Sequence, residues 1–381
     1  MKCIANGRLI LEDKIVDGMA VVYSDRIEKI IPMAVMNPDD YDEVIDARKQ
    51  YVAPGLVDVH IHGYLGEDVS DGKTEGIEKM ARGIVENGVT SWCPTTMTVS
   101  KKEIETAFDA ARRLKNSGEY YGARILGVNS EGPFINAAKK GAQAAEHILP
   151  PDADFILENA DIVKLVTIAP EVEGATECIE RLYADGRVTV SMGHTSATCE
   201  EAVAGIEAGV RHATHLFNAM TPLMHRNPGV VGAALSSDEV SCELIADTFH
   251  VSKDLFGLVS KIKGDKLCLI TDCMRAGGMP DGDYTLGGQA VHKEGIQCLL
   301  SDGTIAGSVL KLNEAVRNLV ANGVSVEKAV AAASINPARA IGEDKEIGSI
   351  EIGKRADFII TDTKFNIINT VIGGELRYSN K

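Results

Sequence analysis

The sequence predicts an α/β fold: a (β/α)8 barrel of the TIM type beside a small β-sandwich built from both ends of the chain. Three observations lead there. Eight apolar, β-branched runs recur through the middle of the 381 residues, helical patterns with glycine stops alternate with them, and both ends carry short strand-like runs between polar turns.

The eight runs fall at 56–61, 89–93, 125–129, 163–169, 188–192, 212–217, 242–247 and 267–271. Most are apolar on both faces, as a parallel sheet covered by helices requires. Helical spacing of apolar residues marks 75–87 and 102–116, with Gly88 and Gly118 as stops. Thr198 and Glu201 form a capping box for a helix ending near Gly209. Segments 252–263 and 311–322 repeat the pattern, with Gly264 and Gly323 just beyond them. Eight such units joined by right-handed crossovers close naturally into a barrel. Residues 53–347 are assigned to it. Runs such as 18–23 and 26–31, and the tail GSIEIGKRADFIITD, read as antiparallel strands. Residues 1–52 and 348–381 are therefore expected to join as the sandwich, although periodicity does not say which strands pair.

Composition narrows the function. Hydrophobic residues make up 45%, enough for a large core, and the 37 glycines suit many tight turns. The formal charge of −16, with no Lys/Arg-rich stripe, argues against a nucleic-acid partner. No apolar run reaches the roughly 18 residues of a membrane span. The N-terminal MKCIANGRLI lacks a signal-peptide core, so a cytoplasmic location is expected. The eight cysteines contain no CxxC pair and read as reduced, mostly buried thiols.

The chemistry sits where the runs end. His60 and His62 close the first run two residues apart, so both imidazoles project to one face, a natural pair of ligands for a divalent metal. Glu131 closes the third, just before Gly132-Pro133. His194 ends the fifth and His215 the sixth, while His212, three residues earlier, reads as a satisfied core histidine. Asp272 ends the eighth, where a buried carboxylate needs a metal, a donor or a proton. Singly, each residue has an ordinary structural explanation. Together, at the C-terminal ends of strands one, three, five, six and eight, they supply ligands for one or two metals plus a general base. That set suits hydrolysis by a metal-activated water.

With these residues in place the sequence resembles the amidohydrolase superfamily and, within it, the N-acetylglucosamine-6-phosphate deacetylases. The resemblance spans nearly the whole chain: APGLVDVHIHG, SEGPF, KKGA, MGHTSA, ATHLFNAM, ADTFHV, ITDCM and IAGS occur in order. SEGPF and ATHLFNAM are the specific signals; SINPARAIG and GSIEIGKRADFII support only the superfamily. It implies a metal-dependent amide hydrolase of amino-sugar catabolism that releases acetate from a phosphorylated amino sugar. Glu131, His194 and His215 would form the core metal site, and His60 and His62 leave a second ion open, zinc or iron being the expected metals. Asp272 would be the acid/base, taking a proton from the attacking water and giving it to the leaving amine. Ala142, Gln143, Asn218, Ala219, Arg226, His250, Ile305, Ala306 and Gly307 would bind substrate. Among these, Arg226 would pair with the phosphate, and Gln143 stands where some relatives carry a sugar-contacting histidine. In some relatives the arginine crosses a subunit interface, so a homodimer or higher homo-oligomer is expected.

Three competing readings remain. A deacetylase for the galacto epimer would keep every ligand. A dihydroorotase-like enzyme would need a bridging lysine at strand four, but Lys164 lies near the start of that run. A catalytically dead assembly protein would commonly lack ligands that this chain retains.

Overall fold

The computed structural model describes residues 1–118 and 122–380. Eight parallel strands form the barrel: Leu56–Ile61, Val89–Thr96, Val128–Phe134, Val163–Ile168, Thr189–Met192, His212–Ala213, Ser241–Ile245 and Leu267–Ile270. Neighbours in this order pair in parallel. The eighth closes on the first: the Asp272 N–H donates to the His60 carbonyl and the His62 N–H to that of Cys273, each at 2.9 Å. The first two strands are buried along their whole length, consistent with runs apolar on both faces.

The helices follow their sequence signals. Lys101–Asn116 buries Ile104, Ala107, Phe108 and Ala111 on one face, and Ser100 caps it reciprocally with Glu103. Cys199–Ala208 begins at the Thr198/Glu201 capping box. The segment expected at 75–87 splits into Thr74–Gly83 and a tighter last turn, Ile84–Asn87. It stops at Gly88, whose φ of 81° suits glycine.

Strand boundaries depart from expectation in two informative places. The third barrel strand is Val128–Phe134, not 125–129; Arg124–Ile125 is a separate short strand beside the second. The apolar run ends where Asn129, Ser130 and Glu131 begin, yet these polar residues are buried inside the strand. The sixth strand shortens to His212–Ala213 because His215, Phe217 and Ala219 all take positive φ and turn the backbone out of extension.

The chain ends join as expected. Phe358–Thr361 pairs antiparallel with Tyr51–Pro54, which pairs parallel with Lys2–Ile10. Lys2–Ile10 also pairs with Glu43–Asp46 and Ile15–Tyr23, so this one strand joins three others within a single sheet. Its register shifts around Gly7, where a Cβ would lie 2.4 Å from the Val52 side chain. Inside lies a separate core that includes Leu9, Val21, Tyr23, Val52, Phe358 and Val371. Arg124 and Asp357, an ion pair at 2.7 Å, join the barrel side to this sheet. A three-stranded antiparallel sheet at Gly282–Leu286, Gln289–Glu294 and Gln297–Leu299 follows the last barrel strand, an element the sequence patterns did not indicate. Among the described residues, no helix is long and apolar enough to cross a membrane.

Candidate active site

His60, His62, Glu131, His194, His215 and Asp272 converge at the C-terminal mouth of the barrel, and all six are buried. His60 and His62 sit at and just past the end of the first strand. Glu131 lies inside the third. His194, His215 and Asp272 follow their strands with φ of 47°, 27° and 49°. Left-handed backbone of this kind costs roughly 1–3 kcal/mol per non-glycine residue and persists where the surroundings impose it. Here the turn swings each side chain from the strand line into the mouth.

The tautomers follow from the partners. The Nδ1 of His62 faces the Thr95 carbonyl at 3.2 Å, that of His194 the Lys139 carbonyl at 2.9 Å, and that of His215 the Asn218 carbonyl at 3.2 Å. The Nδ1 of His60 meets the Glu243 carboxylate at 2.9 Å. All four partners only accept, so each Nδ1 donates and Nε2 is the nitrogen that a neutral ring offers to a metal. Those Nε2 atoms then face one another, His60 to His62 at 3.2 Å and His194 to His215 at 3.1 Å. Glu131 lies between the pairs. Its Oε1 is 3.0 Å from His194 and 2.9 Å from His215, and its Oε2 is 3.3 Å from His62. Lone pairs and carboxylates gathered this closely require positive charge among them. Two triads, His60/His62/Glu131 and Glu131/His194/His215, have donor atoms within 4.8 Å of one another and fit a divalent metal.

Ionisation follows the same balance. Burial pulls the His60 imidazole down, but the Glu243 and Glu131 carboxylates outweigh it and hold it well above its ordinary value. Burial likewise pulls His62 down, and Asp272 and Glu131 outweigh it and raise it to about 9. Burial pushes Asp272 up, and the hydrogen bond and charge of His62 with the charge of His60 bring it below the usual carboxylate value. Asp272 Oδ1 lies 3.2 Å from the Nε2 of His62.

His62, Glu131, His194, His215 and Asp272 border a cavity of about 360 Å³, within the range of small-molecule sites, roughly 300–1,000 Å³. Ala142, Gln143, Asn218, Ala219, His250, Ile305 and Gly307 line it as well. Ala306 does not; it is fully buried, its N–H bonded to the Cys298 carbonyl. Gly307, at φ 62°, passes so close to Asp272 that a Cβ would sit 3.1 Å from its carbonyl oxygen. His250 donates from Nδ1 to Asp247 at 2.6 Å; burial lowers its pKa, and Asp247 outweighs this and raises it above the ordinary histidine value. Arg226 lies outside the cavity of its own chain, on an exposed loop beside His225. The Gln143 amide bonds Glu131 and the Thr98 N–H.

Glu243 is the residue the sequence reading missed. Fully buried, it accepts from His60 Nδ1, from His212 Nε2 at 3.1 Å and from the His215 N–H at 2.9 Å. His212 is thus a buried core histidine, as expected, but satisfied only at Nε2, since its buried Nδ1 has no partner. The signal was present: an acid in the apolar run SCELI of a strand covered on both faces.

The Amidohydrolase family profile matches residues 51–377. The chain is 37% identical to an N-acetylglucosamine-6-phosphate deacetylase of Bacillus subtilis (strain 168), over 98% of this chain and 96% of that protein. It is 36% identical to an N-acetylgalactosamine-6-phosphate deacetylase of Escherichia coli O157:H7, over 87% and 89% of the two. The crystal structure of N-acetylglucosamine-6-phosphate deacetylase from Pasteurella multocida superposes with a TM-score of 0.94 at 31% identity, covering both chains completely.

Proposed function

The chain belongs to the amidohydrolase family, and on that premise we propose that it deacetylates N-acetylglucosamine 6-phosphate to glucosamine 6-phosphate and acetate. The full-length agreement in sequence and fold with deacetylases of that sugar phosphate carries the reading.

The donor set suits zinc or iron, and two triads sharing Glu131 support up to two ions. Bound there, a divalent cation supplies Lewis acidity for the acetamide carbonyl and lowers the pKa of the attacking water. The protein groups do the rest. Asp272, held ionised beside His62, takes the proton of the water as it attacks and delivers it to the leaving amine. The packing of Gly307 against the Asp272 backbone fixes where that carboxylate stands. His250, oriented by its Nδ1–H bond to Asp247, meets the phosphate or a sugar hydroxyl from the wall. Asn218 and Ala219 present polar groups beside His215. A homodimer, in which Arg226 reaches the neighbouring subunit's cavity and pairs with the phosphate there, accounts for an arginine outside its own.

The test is acetate release from N-acetylglucosamine 6-phosphate, its galacto epimer and the unphosphorylated sugar, with elemental analysis of the same preparation. Highest kcat/KM on the gluco phosphate is expected. Clear preference for the galacto epimer would transfer the assignment to that sugar, and metal-free protein with full turnover would end the metal reading.

A further inference from the structure

Gln143 has a local geometry that decides its chemistry. It is 1% exposed, and its backbone N–H is tied to the Lys140 carbonyl at 2.9 Å. Its side-chain Oε1 accepts from the Thr98 N–H at 2.6 Å, and its Nε2 donates to Oε2 of Glu131. The amide orientation is forced. A backbone N–H offers only a donor and an ionised carboxylate only acceptors, so the opposite orientation would lose both bonds at once. Thr98 itself is anchored to the same strand, its hydroxyl donating to the Glu131 carbonyl at 3.2 Å. Amide, threonine and glutamate therefore form a closed set of bonds around the one carboxylate that both triads share.

That carboxylate has two oxygens with different duties. Oε1 faces His194 and His215, at 3.0 and 2.9 Å. Oε2 faces His62 at 3.3 Å and takes the amide of Gln143. A carboxylate without the amide is free to rotate about its last torsion, a broad and weakly hindered one. With the amide in place, its plane is set so that Oε1 faces His194, His215 and, at 3.4 Å, His60, while Oε2 is turned to His62.

We propose that Gln143 is a positioning residue for the metal centre: by holding Oε2 it orients Glu131 between the two histidine pairs, rather than recognising the sugar. This rests on the metal reading above. Groups that orient metal ligands typically govern metal affinity by about 10–100-fold.

The experiment uses the full-length protein loaded with zinc and challenged with a graded chelator, with bound metal counted by elemental analysis and no substrate present. Q143M removes the donor at similar size; Q143N keeps the amide but stops one methylene short. Both are expected to release zinc about 10–100-fold more readily than the native protein, with the metal-free forms melting at similar temperatures. KM for the sugar phosphate in the fully loaded variants should stay near the native value. Native-like zinc retention in both variants would overturn the proposal, as would a large rise in KM with unchanged zinc affinity, the mark of a sugar contact. If Q143M fails to fold, zinc retention by Q143N decides. Native protein that holds zinc yet releases no acetate from the sugar phosphate would count against the substrate assignment and leave this inference standing, and a native protein that binds no zinc, iron or other divalent ion would remove the metal reading and this inference together.

Discussion

Glu243→Gln separates orientation of a ligand from stability of the barrel. The carboxylate accepts three hydrogen bonds in a fully buried setting, two on Oε2 from the His60 Nδ1–H and the His215 N–H, and one on Oε1 from His212. A glutamine of the same shape keeps its carbonyl oxygen for the first two. Its amide then faces His212 Nε2, which must give up its proton to accept. His212 would carry that proton on Nδ1, an atom with no hydrogen-bond partner in the structure. All three charge-assisted bonds, worth about 1.5–3 kcal/mol each, become neutral ones of about 0.5–1.5. The fold should therefore lose about 3–4 kcal/mol, which a urea titration of metal-free protein would read. The imidazole of His60, no longer polarised by an anion, should bind metal about 10–100-fold more weakly in a chelator competition. Glu243→Leu, by contrast, leaves three buried donors without an acceptor, at about 1–3 kcal/mol each, and should destabilise the barrel outright. Unchanged metal affinity in the Gln variant would refute the argument that Glu243 sets the His60 ligand.

Asp272→Asn should cut turnover by at least about 10²–10⁴-fold while substrate still binds, since an amide cannot carry the proton; near-normal turnover would exclude Asp272 as the base. Arg226→Ala should weaken the phosphorylated sugar roughly ten- to a hundredfold and spare the unphosphorylated one, from the loss of one charged hydrogen bond. An equal loss for both would remove Arg226 from the phosphate site. Of the eight free cysteines only Cys199 is not buried, and burial pushes Cys93, Cys178 and Cys242 up to about 12. A thiol reagent should accordingly label at most Cys199 in the native protein and all eight after denaturation. Prompt labelling of two or more thiols in the native state would contradict the packing.

The barrel was legible because its strands are buried on both faces, so they stand out as apolar runs. The reading blurred where the chemistry begins. Asn129, Ser130 and Glu131 are strand residues with loop-like composition, since the barrel mouth satisfies their polar groups. The left-handed turns at His194, His215 and Asp272 leave no periodic trace, because they are set by the packing around each residue. The six residues of the mouth could be named from their positions at run ends, but Glu243 lay inside a run and was passed over. The bond of Gln143 to Glu131 depends on a loop path that spacing does not encode. Pairing of the chain ends was expected from texture alone, and the register needed coordinates.

That pairing has a consequence for how the chain acquires its shape. Tyr51–Pro54 has Lys2–Ile10 on one side and Phe358–Thr361 on the other, two partners separated by most of the chain. As the polypeptide leaves the ribosome, its first strands can pair among themselves, but one flank of Tyr51–Pro54 stays open until the last strands are made. Such an edge is a template for the wrong neighbour. The ring of barrel strands, whose partners are mostly adjacent in sequence, can form in the interval and carry the distant tail into reach. The terminal sheet is then the last part to be completed, and a chain cut short before Phe358 would keep its barrel strands while exposing this flank to self-association.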